Sequence, residues 1–190
     1  MLKKFVRYIK NIFVHGGDKM VTEELFLENI EFVEEITKIN PLDLSKCILK
    51  YFDNKGNKIS HKKLQKLVYY IDAWHNVFLD TPIMDEDFEA WMHGPVCRPI
   101  WNYYRDESTL NVAINHIEND YTLKISREQQ EIILDVLDEY GDKTGYYLEC
   151  LTHNELPWQE ARKGYCPSDR CEEIISKETM KNYYESKLEE

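Results

Sequence analysis

His93 and Cys97 stand four residues apart in EAWMHGPVCRPIWNYY, residues 89–104. On a helix that separation would bring an imidazole beside a thiol and make an activated nucleophile. Gly94-Pro95 between them argues the other way. Proline drives the residue before it out of helical geometry, so the two side chains are expected to point apart. His93 then reads as a hydrogen-bonded histidine next to a buried cysteine. Cys166 and Cys171 bracket Pro-Ser-Asp-Arg, but no second pair of ligands lies near them in sequence, and no structural metal is expected. Asp85-Glu86-Asp87 reads as a solvated acidic patch, and His75, on an otherwise apolar stripe, as a satisfied core histidine. A glycine-rich phosphate loop, a Gly-x-Ser-x-Gly elbow and a His-Glu-x-x-His helix are all missing from the sequence. The expectation is no catalytic residue and no cofactor. The alternative left open is a small cytosolic cysteine- or metal-dependent hydrolase working through Cys97 or a histidine-bound metal.

The same segment is crowded with rings. Trp74, Trp91, Trp101 and Trp158 fall in four separate predicted elements, which is how large apolar side chains knit small helices into one core. Trp91, Trp101, Tyr103 and Tyr104 nevertheless exceed what one short segment around Gly94 can turn inward. Rings left outside would anchor a protein partner, because tryptophan and tyrosine are enriched at binding hot spots.

The elements that must position these residues are mostly helical. Leu25, Phe26, Ile30, Phe32, Val33, Ile36 and Ile39 recur at three- and four-residue spacing and predict a helix over 22–39, ended by Asn40-Pro41. A short helix is expected over 43–52, then a turn at Asp53-Asn54-Lys55-Gly56-Asn57. Ser60 caps the strongest helix of the chain, with the stripe Leu64, Leu67, Val68, Ile71, Trp74, His75 and Phe78. Phe88, Ala90 and Met92 alternate with Glu89, Trp91 and His93 as in an extended segment, and Val96, Ile100, Trp101 and Tyr104 restore helical spacing. Alternation at Leu110, Val112, Ile114, Leu123 and Ile125 around Glu118-Asn119-Asp120 suggests a hairpin. Ser126 and Gln129 have capping-box spacing ahead of Ile132, Ile133, Val136, Leu137 and Tyr140, and Gly141 is placed for a left-handed C-cap. Further helices are expected over 144–151, from Pro157 to a stop at Gly164, and after Ser176. The fold class is therefore mainly α: a single compact multi-helix domain with a small extended or β-hairpin element.

A chain of 190 residues, 43% hydrophobic and 31% charged, can bury one good core. Its net charge of -11 would repel a phosphate backbone, so nucleic acid is not an expected partner. Five scattered cysteines in a chain without a secretory leader favour reduced thiols and a cytoplasmic location. Residues 1–19 differ from the rest: MLKKFVRYIKNIF places Lys3, Lys4, Arg7 and Lys10 opposite an apolar face, as in a membrane-surface helix. They carry five Lys/Arg and one Asp of the chain's 24 and 35, leaving 19 against 34, or -15, in residues 20–190. Gly16-Gly17-Asp18-Lys19 before Met20 is also what a purine-rich ribosome-binding site would encode if read in frame. Residues 1–19 are thus either a genuine basic extension or a start-site artefact, and a membrane partner is expected only in the first case.

Three separated motifs, in order and at matching spacing, resemble the Panacea domain family, also called SocA-like or GepA-like. They are Lys63-Leu64-Gln65-Lys66-Leu67-Val68-Tyr69-Tyr70 with Trp74 following, Phe88-Glu89-Ala90-Trp91-Met92-His93-Gly94-Pro95-Val96, and Leu151-Thr152-His153-Asn154-Glu155-Leu156-Pro157-Trp158-Gln159-Glu160-Ala161-Arg162. The resemblance divides the chain into the extension 1–19, an N-terminal helix 20–41 and a Panacea domain 42–190. It implies a bacterial or phage-associated antitoxin, small and mostly helical, that neutralises a cognate toxin by direct binding. One member similar in sequence is an adaptor that delivers its toxin to a ClpXP-type ATP-dependent protease. The resemblance brings no catalytic residues with it. The residues expected to meet or brace a partner are Trp91, His93, Gly94, Pro95, Trp101, Tyr104, His153, Trp158 and Arg162.

Overall fold

The computed structural model describes residues 29–188. The basic extension 1–19 and the first part of the expected 22–39 helix lie outside the described residues. Among those described there are seven helices and two sheets of two strands each, which makes the domain mainly α.

Helix α1 (Pro41–Asn54) begins where Asn40 accepts a hydrogen bond from Leu42 N at 2.8 Å and Pro41 takes the first turn, where its missing N–H costs nothing. Asn40-Pro41 is therefore a start signal for α1. Helix α2 (His61–Phe78), capped by Ser60, runs through the middle of the molecule, and residues 64–76 are all buried. A helix buried all round must also bury its polar residues, and α2 carries Gln65, Lys66, Asp72 and His75 inside. His75 is satisfied as expected, with Nδ1 at 2.5 Å from Thr81 O and Nε2 at 3.0 Å from the Gln129 amide.

Two strands, β2 (Phe88–Trp91) and β3 (Gly94–Cys97), pair antiparallel across a turn formed by Met92 and His93. Gly94, the first residue after the turn, lies in the left-handed region at φ +92, which glycine adopts without steric cost. Helix α3 (Arg98–Tyr104) follows directly; Val96, which the spacing assigned to a helix, belongs to the strand. Helix α4 (Arg127–Tyr140) opens on the expected capping box between Ser126 and Gln129. Helices α5 (Gly145–His153), α6 (Leu156–Ala161) and α7 (Lys177–Ser186) complete the shell around α2. Thr144 and Ser176 cap α5 and α7 through their side chains.

Two expectations fail for the same reason. Residues 29–40 are not helical: Ile30–Phe32 forms strand β1, parallel to β4 (Leu123–Ile125). The backbone continues as a strap, with Thr37 and the Gln129 side chain exchanging hydrogen bonds of 2.8 and 3.1 Å. The hairpin expected over 110–125 is absent too, because Leu123–Ile125 pairs with β1 while Ile114 N reaches Ile59 O at 3.0 Å. In both cases the alternation or spacing was real, but pairing with a remote segment decided the conformation. Gly141 is right-handed (φ −71, ψ −21) rather than left-handed. A Cβ there would stand 2.1 Å from Leu137 O and 3.2 Å from the Phe52 ring, so close approach is what the site asks of glycine.

Candidate partner-binding surface

The β2–β3 hairpin is held from below by a buried polar network. Lys66 on α2 is 1% exposed, and its Nζ donates to Pro95 O at 2.8 Å. Burial pushes this ammonium down to about 7, against the opposing pull of Glu149. One turn earlier Lys62 pairs with Glu149 Oε2, and His93 at the hairpin tip places Nδ1 2.7 Å from Glu149 Oε1. Burial alone would raise the Glu149 carboxyl, but the hydrogen bonds from Lys62 and His93 prevail and hold it below its ordinary value. A tight turn, a central helix and α5 thus meet at one carboxylate.

Rings continue the surface from the hairpin. Trp91 lies 5.2 Å from Trp101, edge to face, and Trp101 stacks on His61 at 4.8 Å. His61 is buried, and burial lowers it to about 4, so a neutral imidazole backs the indole. Arg98 sits 5.3 Å over the Trp91 ring while pairing with Glu89, which also accepts from Trp91 Nε1 at 2.8 Å. On the other flank Trp158 Nε1 donates to Trp91 O at 3.0 Å and stacks on His153 at 4.0 Å. His153 Nε2 is buried with no hydrogen-bond partner among the described residues.

The nine residues expected to meet or brace a partner therefore divide. Trp91, His93, Trp101 and His153 are partly exposed and joined by the contacts above into one strip. Gly94, Pro95, Tyr104, Trp158 and Arg162 are buried. Tyr104 turns inward, its hydroxyl 3.3 Å from Ser45 Oγ. Arg162 is a brace: it donates to the carbonyls of Ala90 (2.8 Å), Cys166 (2.9 Å), Pro167 (3.3 Å) and Asp169 (2.9 Å). That fork clamps strand β2 to the loop after α6, a task suited to a planar guanidinium with five donors.

His93 and Cys97 engage different partners. Cys97 is fully buried, its N–H donates to Gln65 Oε1 at 2.8 Å, and burial pushes its thiol up to about 12. A thiol so protonated is a poor nucleophile. Cys166 is exposed and Cys171 buried, and no group of three or more His, Cys, Asp or Glu among the described residues could hold a metal ion. No helix among them is long and apolar enough to cross a membrane.

Sequence reasoning missed Lys62, Lys66 and Glu149, the groups that seat the hairpin. A signal existed: Lys62, Lys66 and Tyr70 repeat at i, i+4 and i+8 and so share one face of the helix. Only knowledge that α2 is central turns that stripe from a solvated edge into a buried seam.

The fold and this strip describe a small helical domain that presents a braced aromatic surface. The family model for "Antitoxin SocA-like, Panacea domain" matches residues 64–159, and the chain belongs to that family. Membership brings an antitoxin-like role and implies a toxin as partner. No curated protein and no solved structure matches the chain significantly.

Proposed function

We propose that the protein neutralises a cognate toxin by direct protein–protein binding, in the cytoplasm, without a catalytic step of its own. The observation that carries this reading is the strip of Trp91, His93, Trp101 and His153. It is partly exposed, yet its rings are already fixed by stacking and by the Glu149 network. Rings ordered before binding lose little further entropy when a partner covers them, and tryptophan contributes strongly once desolvated. The charge of residues 20–190, -15, would speed encounter with a basic toxin surface and disfavour nucleic acid.

Co-expression with the product of the adjacent gene tests the reading. Growth should stop when that product is made alone and resume when this protein is made with it. A neighbour that is harmless alone, or equally toxic with its partner present, refutes it. The same experiment in cells with and without a ClpXP-type protease separates masking from delivery: a toxin whose level falls only when the protease is present is being handed over.

The hydrolase alternative makes an opposite prediction about one residue. Cys97→Ala should leave neutralisation intact and cost only about 1 kcal/mol from the small void it opens, read as a modest drop in Tm. Loss of neutralisation in a variant that remains folded would point back to a thiol-dependent enzyme.

A further inference from the structure

Helix α5 has two unlike faces. Leu148, Glu149 and Thr152 are buried on the side turned inward, while Tyr146 is 73% and Tyr147 51% exposed. Cys150, Leu151 and His153 are partly exposed, and Leu156, just beyond the helix, is 50% exposed. Between Thr144 and Asn154 the one formally charged residue is Glu149, and its carboxylate is tied to Lys62 and His93. In a chain of which 31% is charged, three turns of surface therefore present tyrosine, cysteine and leucine and no free charge. Single exposed apolar residues are ordinary, but here they follow one another along one helix. Tyr146, Cys150 and His153 are spaced i, i+4 and i+7, which aligns them in a ridge.

The ridge is continuous with the strip already described. Glu149 on the buried side of α5 holds His93 at the hairpin tip at 2.7 Å, with the adjacent Met92 39% exposed. His153 at the end of the ridge stacks on Trp158, which bonds Trp91. A core without charge, rich in tyrosine and bordered by polar groups, is the composition that marks the buried centre of a protein interface.

We infer that the outer face of α5, centred on Tyr146, Tyr147 and Cys150 and extended by Leu156 at the start of α6, is the main docking surface for the toxin, and that the toxin meets it with an uncharged apolar patch flanked by basic side chains. The inference rests on the antitoxin reading and names the site and the chemistry of its partner. Charge selects the occupant. A second copy of this chain would bring together two bodies of -15 each, counted over residues 20–190, and an anionic bilayer would be repelled in the same way. A polypeptide with a basic rim is attracted by the domain's net negative charge.

The test uses the full chain, its Tyr146→Lys/Leu156→Lys variant and an Ile36→Lys control at another exposed apolar position, each titrated with the neighbouring gene's product. Both altered sites are at least half exposed, so Tm should stay close to that of the wild type. The double variant should bind the toxin at least about thirtyfold more weakly and lose neutralisation, as removal of hot-spot contacts does. Ile36→Lys should bind as the wild type does. Binding by the double variant within about threefold of the wild type overturns the inference and leaves the antitoxin reading standing, the threefold margin being well under one hot spot. Failure of the wild type itself to bind or neutralise overturns both. A wild-type dimer that Tyr146→Lys converts to monomer, or binding to phosphatidylserine vesicles that the same change abolishes, assigns the face to another occupant and also overturns the inference.

Discussion

Replacing Gly94 with alanine probes the junction on which the proposed surface depends. Two costs are expected. The backbone there has φ +92, a region in which a residue with a Cβ is strained by roughly 1–3 kcal/mol. The new methyl would also stand 2.6 Å from Lys66 Cε, 2.9 Å from its Nζ and 2.9 Å from Thr152 Oγ1. Lys66 is the more flexible neighbour and would yield, but its ammonium is buried and has Pro95 O as its acceptor at 2.8 Å. Moving it sacrifices its hydrogen bond to that carbonyl, charge-assisted while Lys66 is protonated and then worth about 1.5–3 kcal/mol. Together these give about 2.5–6 kcal/mol, and for a chain of this size a Tm lowered by roughly 5–24 °C.

A second variant separates the two causes. In a Lys66→Ala background the methyl meets no ammonium, so Gly94→Ala should then cost the backbone strain, about 1–3 kcal/mol, and whatever the remaining close contact with Thr152 Oγ1 adds. The difference between backgrounds, measured by urea denaturation, is the coupling energy of the pair. A single-variant loss below about 1 kcal/mol would refute the strain argument. Additive losses in the two backgrounds would refute the contact with Lys66.

Two further outcomes follow from the braces around the hairpin. Arg162→Ala should destabilise by about 3–5 kcal/mol, since four carbonyls lose their donor, and Arg162→Lys should not restore it; faster tryptic cleavage at Lys163 and Arg170 is the readout, and unchanged cleavage refutes the clamp. Glu155, buried and raised to about 7 by that burial against the hydrogen bonds from Tyr184 and Tyr70, favours folding while protonated, so its contribution is full below about 4.5 and is lost as pH rises through about 7. Wild type minus Glu155→Gln should therefore lose on the order of 3 kcal/mol in unfolding free energy between pH 4.5 and 8, and parallel pH profiles would refute it.

What the sequence could show of this fold depended on how local the cause was. Helices α2 and α4 were legible because their caps, Ser60 and the Ser126–Gln129 box, lie within three residues of the helix they start. Strand β1 was not, because its partner is β4, about ninety residues away, and nothing within 22–39 distinguishes a strap from an amphipathic helix. The return strand of the hairpin was hidden by Pro95, whose type argues against a strand, and by the helical spacing of Val96 to Ile100. At the candidate site, the motif resemblance named residues that the structure brings close together but could not tell which are exposed and which buried. Trp91 and Trp101 reach the surface, while Tyr104 and Arg162 turn inward, and that distinction exists only once α2 is known to lie beneath them.

The buried seam explains why the hairpin and α5 keep one alignment. Lys62, Lys66 and Tyr70 oppose, in order, Glu149, Pro95 O and Glu155, with Tyr70 Oη at 3.2 Å from Glu155 Oε2. An apolar seam would tolerate a slip of one turn, since one aliphatic contact resembles another. A slip here would set Lys66 against Glu149, leave Glu155 without Tyr70 and strand Lys62 without a carboxylate. Buried ion pairs are weak contributors to stability when judged against apolar replacements of the same volume, so stability alone does not account for them. Their effect in this domain is geometric: His93, held by the same Glu149 that Lys62 holds, can occupy only one place relative to α5. The strip of rings and the tyrosine face of α5 are therefore held in one relation to each other.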